Sequence, residues 1–535
     1  MFAVFALGSI GVEITRINIR FAMMTSEMAH HPPGLFPTLN GEPYADYPSL
    51  YNLLSFLTSG GGRWVTRFTL VLPSILLSCY VVAMTAKTSE LLKPGTGVCA
   101  ALFSLLSYEY INIFMAFSID LPVAAAVLTI VWGLLKYDFA LKALPIYVAM
   151  LILAFAVRGP LGIILCGAVT AGAVIGARRW KAILPYGALG AVTTAACLYL
   201  AYRAILRQGG PELWHTVKDW QVGSRVGGEK SLYAYFYYFT NAIGSFMPVT
   251  GFAVATLVMK RRELLKRELA IPIMWALLPM VMLSIPGCKH LRYMTPLLPA
   301  FAIFAAIGYL EADRSYVGKL IDFAILLMDK LILPLGIGLI ATVAVLGFII
   351  PAARLSLFLH LGAALALLLT LYFSMRGFDG KPWPLCRAAL AMALLVGIAV
   401  TGLDTVLESS SRFVRKAERL CAPNGRIYLY KLSPDHDTLK VMYHLSPAAR
   451  AKAVTIYRFD EDTSPHLKKM FPAVTPEEAL PKILPEDVVV LQKKHLGELR
   501  EAVEASGRRI VELDRKGRLG HRKTVTVRVL PGAAK

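Results

Sequence analysis

From Val65 onward the chain is a succession of apolar blocks, each about 20 residues long, the length a helix needs to cross a bilayer. They read as spans at Val65–Ala86, Gly97–Phe117, Leu121–Leu135, Ala143–Val157, Leu161–Ala177, Ala182–Ala201, Tyr235–Met259, Ala270–Ile285, Thr295–Tyr309, Leu331–Ile350, Leu355–Ser374 and Ala388–Leu407. A shorter apolar stretch from Met1 to Val12 brings the expected total to about 13. That stretch is too short to span alone and lacks the basic start and small-residue cleavage site of a signal peptide. Either residues precede it, or its helix continues through Glu13.

The pattern changes at Ser411. Strand-like runs follow at Arg426–Lys431, Ala453–Phe459, Val488–Leu491, Arg509–Leu513 and Thr524–Leu530, with helical patterns at Thr475–Ile483 and His495–Ala505 between them. The expected fold is therefore an all-α polytopic membrane domain over residues 1–410, followed by a small α/β domain over 411–535 outside the bilayer.

Composition supports this division. Of 535 residues, 56% are hydrophobic and only 17% charged, which excludes an ordinary soluble enzyme. The net charge of +21 reads as basic loops meeting anionic lipid, and not as a nucleic-acid surface. Short basic loops carry Lys87/Lys93, Lys136/Lys142, Arg178/Arg179/Lys181, Lys260 to Arg267, Arg314/Lys319 and Arg376/Lys381. The positive-inside bias places these in the cytoplasm. The Glu13–Tyr51 excursion (the first external loop, to residue 64), Arg158–Pro160, Arg203–Ala234, Gly287–Met294 and the tail from Ser411 then face outward. The seven cysteines show no metal-ligand spacing and read as small core residues.

The candidate chemistry lies on that outer face. Glu13, Arg16 and Arg20 stand at i, i+3 and i+7, one face of a helix if the segment is helical. Asn40, Gly41, Glu42, Tyr44, Asp46 and Tyr47 follow, closed by Pro48. Asp120 opens a span, Arg158-Gly159-Pro160 turns a helical corner, and Arg225 sits in a Gly-rich loop. Lys289 and Arg292 close the set. Cations in such a layer suit a phosphate, and a carboxylate suits a general base acting on a hydroxyl. No P-loop, dinucleotide fingerprint, zinc-protease helix or nucleophile elbow is present, which argues against a nucleotide-dependent enzyme.

The stretch Arg20-Phe21-Ala22, Ser26-Glu27-Met28, Pro37, Asn40-Gly41 and Tyr44-Ala45-Asp46-Tyr47-Pro48 resembles the first periplasmic loop of the GT-C lipid-linked-sugar transferases. These are the glycosyltransferase family 39-like enzymes of the protein O-mannosyltransferase and aminoarabinose transferase type. The resemblance continues at Asp120, Arg158-Gly159-Pro160, Gln221–Arg225 and Lys289 to Pro299, and covers most of residues 10–310. It implies a bacterial inner-membrane enzyme that moves a sugar from a polyprenyl-phosphate carrier to a periplasmic acceptor, which could be a lipid A-like glycolipid, another glycan or a protein. Glu13 or Asp120 would then be the general base. Arg158, Arg225, Lys289 and Arg292 would hold the donor phosphate, and Asp46 with Tyr47 would order the loop or hold a cation.

Where the family carries an Asp-Glu pair, this chain has Ile17 and Asn18, so Glu13 is the expected substitute. The family's loop lysine is Tyr47 here, and the histidine near Arg225 that ligates metal in some members is missing. A divalent metal therefore stays open. The alternative is a transporter or flippase of an anionic lipid, which would use the same cations without a base, although no internal repeat is visible.

Overall fold

The computed structural model describes residues 1–15, 18–31, 34–223, 231–312, 315–349, 354–378, 380–401, 410–460, 463, 465–520 and 522–531. Arg16, Ile17 and Arg225 lie outside the described residues. Each apolar run read from the sequence is helical over most of its described length. Eight described helices are long and apolar enough to cross a membrane, or ten if two bent pairs each count as one span. The chain is a multi-pass membrane protein. The higher total expected from the sequence also counts 17-residue helices, such as Pro160–Gly176, and the N-terminal helix α1 (Phe2–Leu7) of only six residues.

The N-terminal excursion is folded. Gly11 has φ +69°, and residues 12–15 are irregular ahead of α2 (Asn18–Glu27). Glu13 therefore does not share a helix face with Arg20, contrary to the spacing argument. A two-residue hairpin follows, β1 (Thr38–Leu39) against β2 (Glu42–Pro43). Its turn residues Asn40 and Gly41 both have positive φ, as a type I′ turn requires. The Glu27 carboxylate accepts the two turn amides at 2.6 and 3.2 Å and fixes the hairpin to α2. Helix α3 (Leu50–Thr58) then leads into the first long span, α4 (Arg67–Leu92).

Three helices set the level of the site. Helix α5 (Asp120–Lys136) starts where α6 (Leu144–Arg158) ends, and α7 (Pro160–Gly176) begins one residue later. The corner needs Gly159, which has φ +68° and ψ −150°, a conformation essentially restricted to glycine. Pro160 then fits the first helical position. Helix α8 (Ile183–Lys218) runs well past the expected end at Ala201, broken only at Gly209 and Gly210. Much of the anticipated loop after Arg203 is thus helical.

The C-terminal region holds a five-stranded sheet built from β3 (Ile427–Tyr430), β4 (Ala453–Ile456), β5 (Val488–Gln492), β6 (Arg508–Leu519) and β7 (Arg522–Pro531), in the order β4-β3-β5-β7-β6. Strand β3 pairs in parallel with β4 and β5, and β7 runs antiparallel to β5 and β6. Every residue of β3 and β5 is buried, which suits their apolar sequences, Gln492 at the end of β5 excepted.

This region docks on the end of the bundle where α5 starts. Leu439, Met470 and Phe471 join one apolar core with Ile14, Phe21, Tyr44, Tyr47 and Phe117. Burying each such side chain contributes roughly 1.5–3 kcal/mol. Polar contacts fasten the seam: Asn40 donates to the Met470 carbonyl at 3.0 Å, and Lys469 pairs with Glu42 at 3.0 Å.

Candidate active site

Because α5 and α6 are antiparallel neighbours, Asp120 and Arg158 meet at one end of the bundle. Arg158 Nε donates to Asp120 Oδ1 at 2.8 Å, with the side chains 0% and 1% exposed. A buried charge needs a partner, and this pair supplies it. The Arg158 guanidinium lies 4.9 Å from the ring centroid of Tyr47 and 5.2 Å from that of Tyr293, both within cation–π range. Its Nη1 and Nη2, the Asp120 Oδ2 and the Arg292 Nε are buried with no hydrogen-bond partner among the described residues. Arg292 Nε stands 3.6 Å from Asp120 Oδ2.

Above this pair opens a cavity of about 520 Å³ between the bundle and the sheet domain. Its floor includes Arg20, Tyr44, Asp46, Tyr47, Arg292 and Tyr293. Arg292 Nη2 donates to the Tyr47 hydroxyl at 3.0 Å. Arg20, carried by α2, donates to the Tyr44 hydroxyl at 2.5 Å and to the Asp435 carbonyl at 3.0 Å. The Asp435 carboxylate lies 3.5 Å from the same guanidinium. Burial pushes the Tyr44 and Tyr47 phenols above their usual range, so both stay protonated and present neutral oxygens to the arginines. The Gln221 amide donates to the carbonyls of Ala45 and Asp46 at 3.2 and 3.3 Å and holds that segment in place.

Of the residues expected from the sequence, Asp46, Tyr47 and Arg292 line the cavity, and Asp120 with Arg158 support it from behind. Glu13 is placed elsewhere. Its carboxylate accepts the Ser410 and Ser411 amides at 3.2 and 3.1 Å and approaches His444 at 3.0 Å. It thereby caps the helix Ser411–Leu420 and ties the N-terminal segment to the sheet domain. Lys289 is also engaged, donating to the Leu283 and Ser284 carbonyls at 3.0 and 2.5 Å. Its ammonium caps the C-terminal end of the helix Arg267–Ser284, and its pKa is lowered by burial. Arg225 lies outside the described residues.

Reasoning from sequence noted Arg20 and Tyr44 in its polar clusters but gave neither a role in the site, although both belong to the motif that carries the resemblance. It missed Trp220 and the sheet-domain wall at Ser433, Asp435, Tyr457, Phe459 and Asp460. Among the described residues no three His, Cys, Asp or Glu side chains converge as a metal ion would require.

Neither a family model nor a curated protein matches the sequence. Two solved structures match nearly its whole length. ArnT from Cupriavidus metallidurans in the apo state aligns over 98% of this chain and 95% of its own, with a TM-score of 0.68 and 16% identity. The same protein bound to undecaprenyl phosphate aligns over 98% and 96%, with a TM-score of 0.67 and 16% identity. This chain has the GT-C fold that these structures share. At that identity the likeness is one of architecture. The alignment spans the helical bundle and the sheet domain alike.

Proposed function

We propose that the protein is an integral-membrane glycosyltransferase that moves a sugar from a polyprenyl-phosphate carrier to an acceptor, with the reaction on the periplasmic side of a bacterial inner membrane. The observation that carries this reading is the convergence of Arg20, Arg158 and Arg292, from three separate elements, beneath and beside one cavity whose wall also holds Asp46. Arg20 and Arg292 face the cavity and neutralise the leaving phosphate as charge develops. Asp120 positions Arg158 and Arg292. The Asp46 carboxylate is the general base that takes the proton of an acceptor hydroxyl. Attack opposite the leaving group inverts the anomeric centre.

The polyprenyl-phosphate donor is supported by the architecture shared with a protein solved with undecaprenyl phosphate bound. Outward placement of the site is supported by the basic loops at the far end of the bundle, among them Lys93, Arg179 and Arg267. Purified protein mixed with a sugar-loaded undecaprenyl phosphate and an extract of cell-envelope glycolipids is expected to release the free carrier. Asp46→Asn should slow that release by a factor of about 100 to 10,000. Carrier release at the wild-type rate by Asp46→Asn would remove the base from this assignment. No release by the wild type would remove the reaction. A reporter active only in the cytoplasm, fused at Lys535, should be silent; a bright signal would reverse the orientation.

A further inference from the structure

The two walls of the cavity differ in chemistry. The bundle side presents the cations Arg20 and Arg292. The opposite wall is formed by the sheet domain and presents Tyr457, Phe459, Asp460 and Thr463, with Ser433 beside them. Its backbone is anchored, because Tyr457 donates its amide to the Val474 carbonyl at 3.1 Å and Val474 donates to Thr455 at 2.9 Å. The chain runs on beyond β4 without helix, so Tyr457 and Phe459, two residues apart, reach the same side. Their ring centroids are 5.2 Å apart at 66°, an angled aromatic pair. Trp220 faces the same space from the end of α8. The Asp460 carboxylate is exposed and meets no hydrogen-bond or ion-pair partner among the described residues.

The geometry points to this wall as the acceptor subsite, built for the hydroxyl-rich ring of a sugar that carries no phosphate at that position. The inference rests on the glycosyltransferase reading above. Inversion requires the nucleophile and the leaving phosphate to lie on opposite faces of the transferred sugar. With the phosphate on Arg20 and Arg292, the acceptor ring rests against the sheet domain and turns its attacking hydroxyl to Asp46. Aromatic faces pack against the apolar face of a sugar ring, and a carboxylate accepts hydrogen bonds from its hydroxyls. The same carboxylate repels a second phosphate. Specificity for the acceptor therefore resides in the C-terminal domain, whereas the donor is held by the bundle.

The test uses the full-length protein in nanodiscs, saturated with undecaprenyl phosphate so that the arginines are occupied. A glucosamine disaccharide and its phosphorylated form are the probes, followed by saturation-transfer NMR and calorimetry. The unphosphorylated disaccharide should bind more tightly than the phosphorylated one. Asp460→Asn, a surface change that leaves folding intact, should weaken it about tenfold, as expected for losing a charge-assisted hydrogen bond. Phe459→Ala should weaken it similarly, and neither variant should change affinity for undecaprenyl phosphate by more than about twofold. Unchanged disaccharide affinity in both variants, no binding by the wild type, or preference for the phosphorylated probe would each overturn the proposal. If the wild type fails to bind undecaprenyl phosphate, the donor reading falls instead, and the disaccharide titration without carrier still decides the subsite.

Discussion

The two ends of the helical bundle both hold charged residues and handle them in opposite ways. At the end away from the sheet domain, Asp138 is met by Arg179 and by Arg267 at 2.7 Å, and Glu311 by Lys93 and by Lys260 at 3.4 Å. Those side chains are partly exposed, and their partners are close. At the cavity end, Asp120 and Arg158 are fully buried, and several of their polar atoms have no described partner. Leaving such atoms unmet costs about 1–3 kcal/mol each, a cost the exposed pairs at the other end do not carry. Charge near a bilayer is therefore a poor guide to function by itself. Buried charge with free hydrogen-bonding capacity is a better one.

The largest effect separating the two ends should come from Asp120→Asn. It leaves Arg158 buried without a counter-charge, and the expected loss of stability is about 3–5 kcal/mol. Thermal unfolding of the purified protein in detergent would read this, and Asp120→Asn combined with Arg158→Gln should recover part of the loss. A double variant that loses as much as the two single variants added together would place no coupling between the two residues. A smaller effect is expected from Glu13→Ala, which removes a helix cap and costs about 0.5–2 kcal/mol. It should spare carrier release far more than Asp46→Asn does. A collapse of turnover at unchanged stability would return Glu13 to the chemistry.

The smallest effect belongs to the exposed end. Asp138→Asn should cost no more than about 1 kcal/mol and should shrink further at high salt. Hydrogen bonding from Arg179, the leading cause, holds the Asp138 carboxyl below the usual carboxylate range. A lowered pKa means that its contribution is present above about pH 4 and is lost as the pH falls further. The stability difference between wild type and Asp138→Asn should thus be constant from neutral pH to about 5 and vanish on stronger acidification. A difference that grows in acid would contradict the ion-pair assignment.

The spans were legible because bilayer length and apolarity are written locally, and the sheet strands because their runs are apolar, as in β3, or alternate, as in β7. Asp46, Tyr47 and Arg292 were legible as unusual residues in the loops between spans, and the cavity does bring them together. Glu13 and Lys289 looked identical at that level. What separates them is which backbone groups they meet, namely two helix ends, and spacing in a sequence does not reveal that. The sheet-domain wall was invisible for a related reason. Tyr457, Phe459 and Asp460 approach Arg20 only because the domain docks on the N-terminal hairpin, a contact between segments more than 400 residues apart.

The central claim is that the cavity arginines hold a polyprenyl phosphate. Affinity for undecaprenyl phosphate, measured by native mass spectrometry on wild type, Arg20→Gln, Arg292→Gln and Lys289→Gln, tests it most directly. Each cavity arginine should contribute about 1.5–3 kcal/mol, a loss of roughly ten- to 150-fold on substitution, whereas Lys289→Gln should stay within about twofold of wild type. Wild-type affinity in both arginine variants, or a loss confined to Lys289→Gln, would contradict the account.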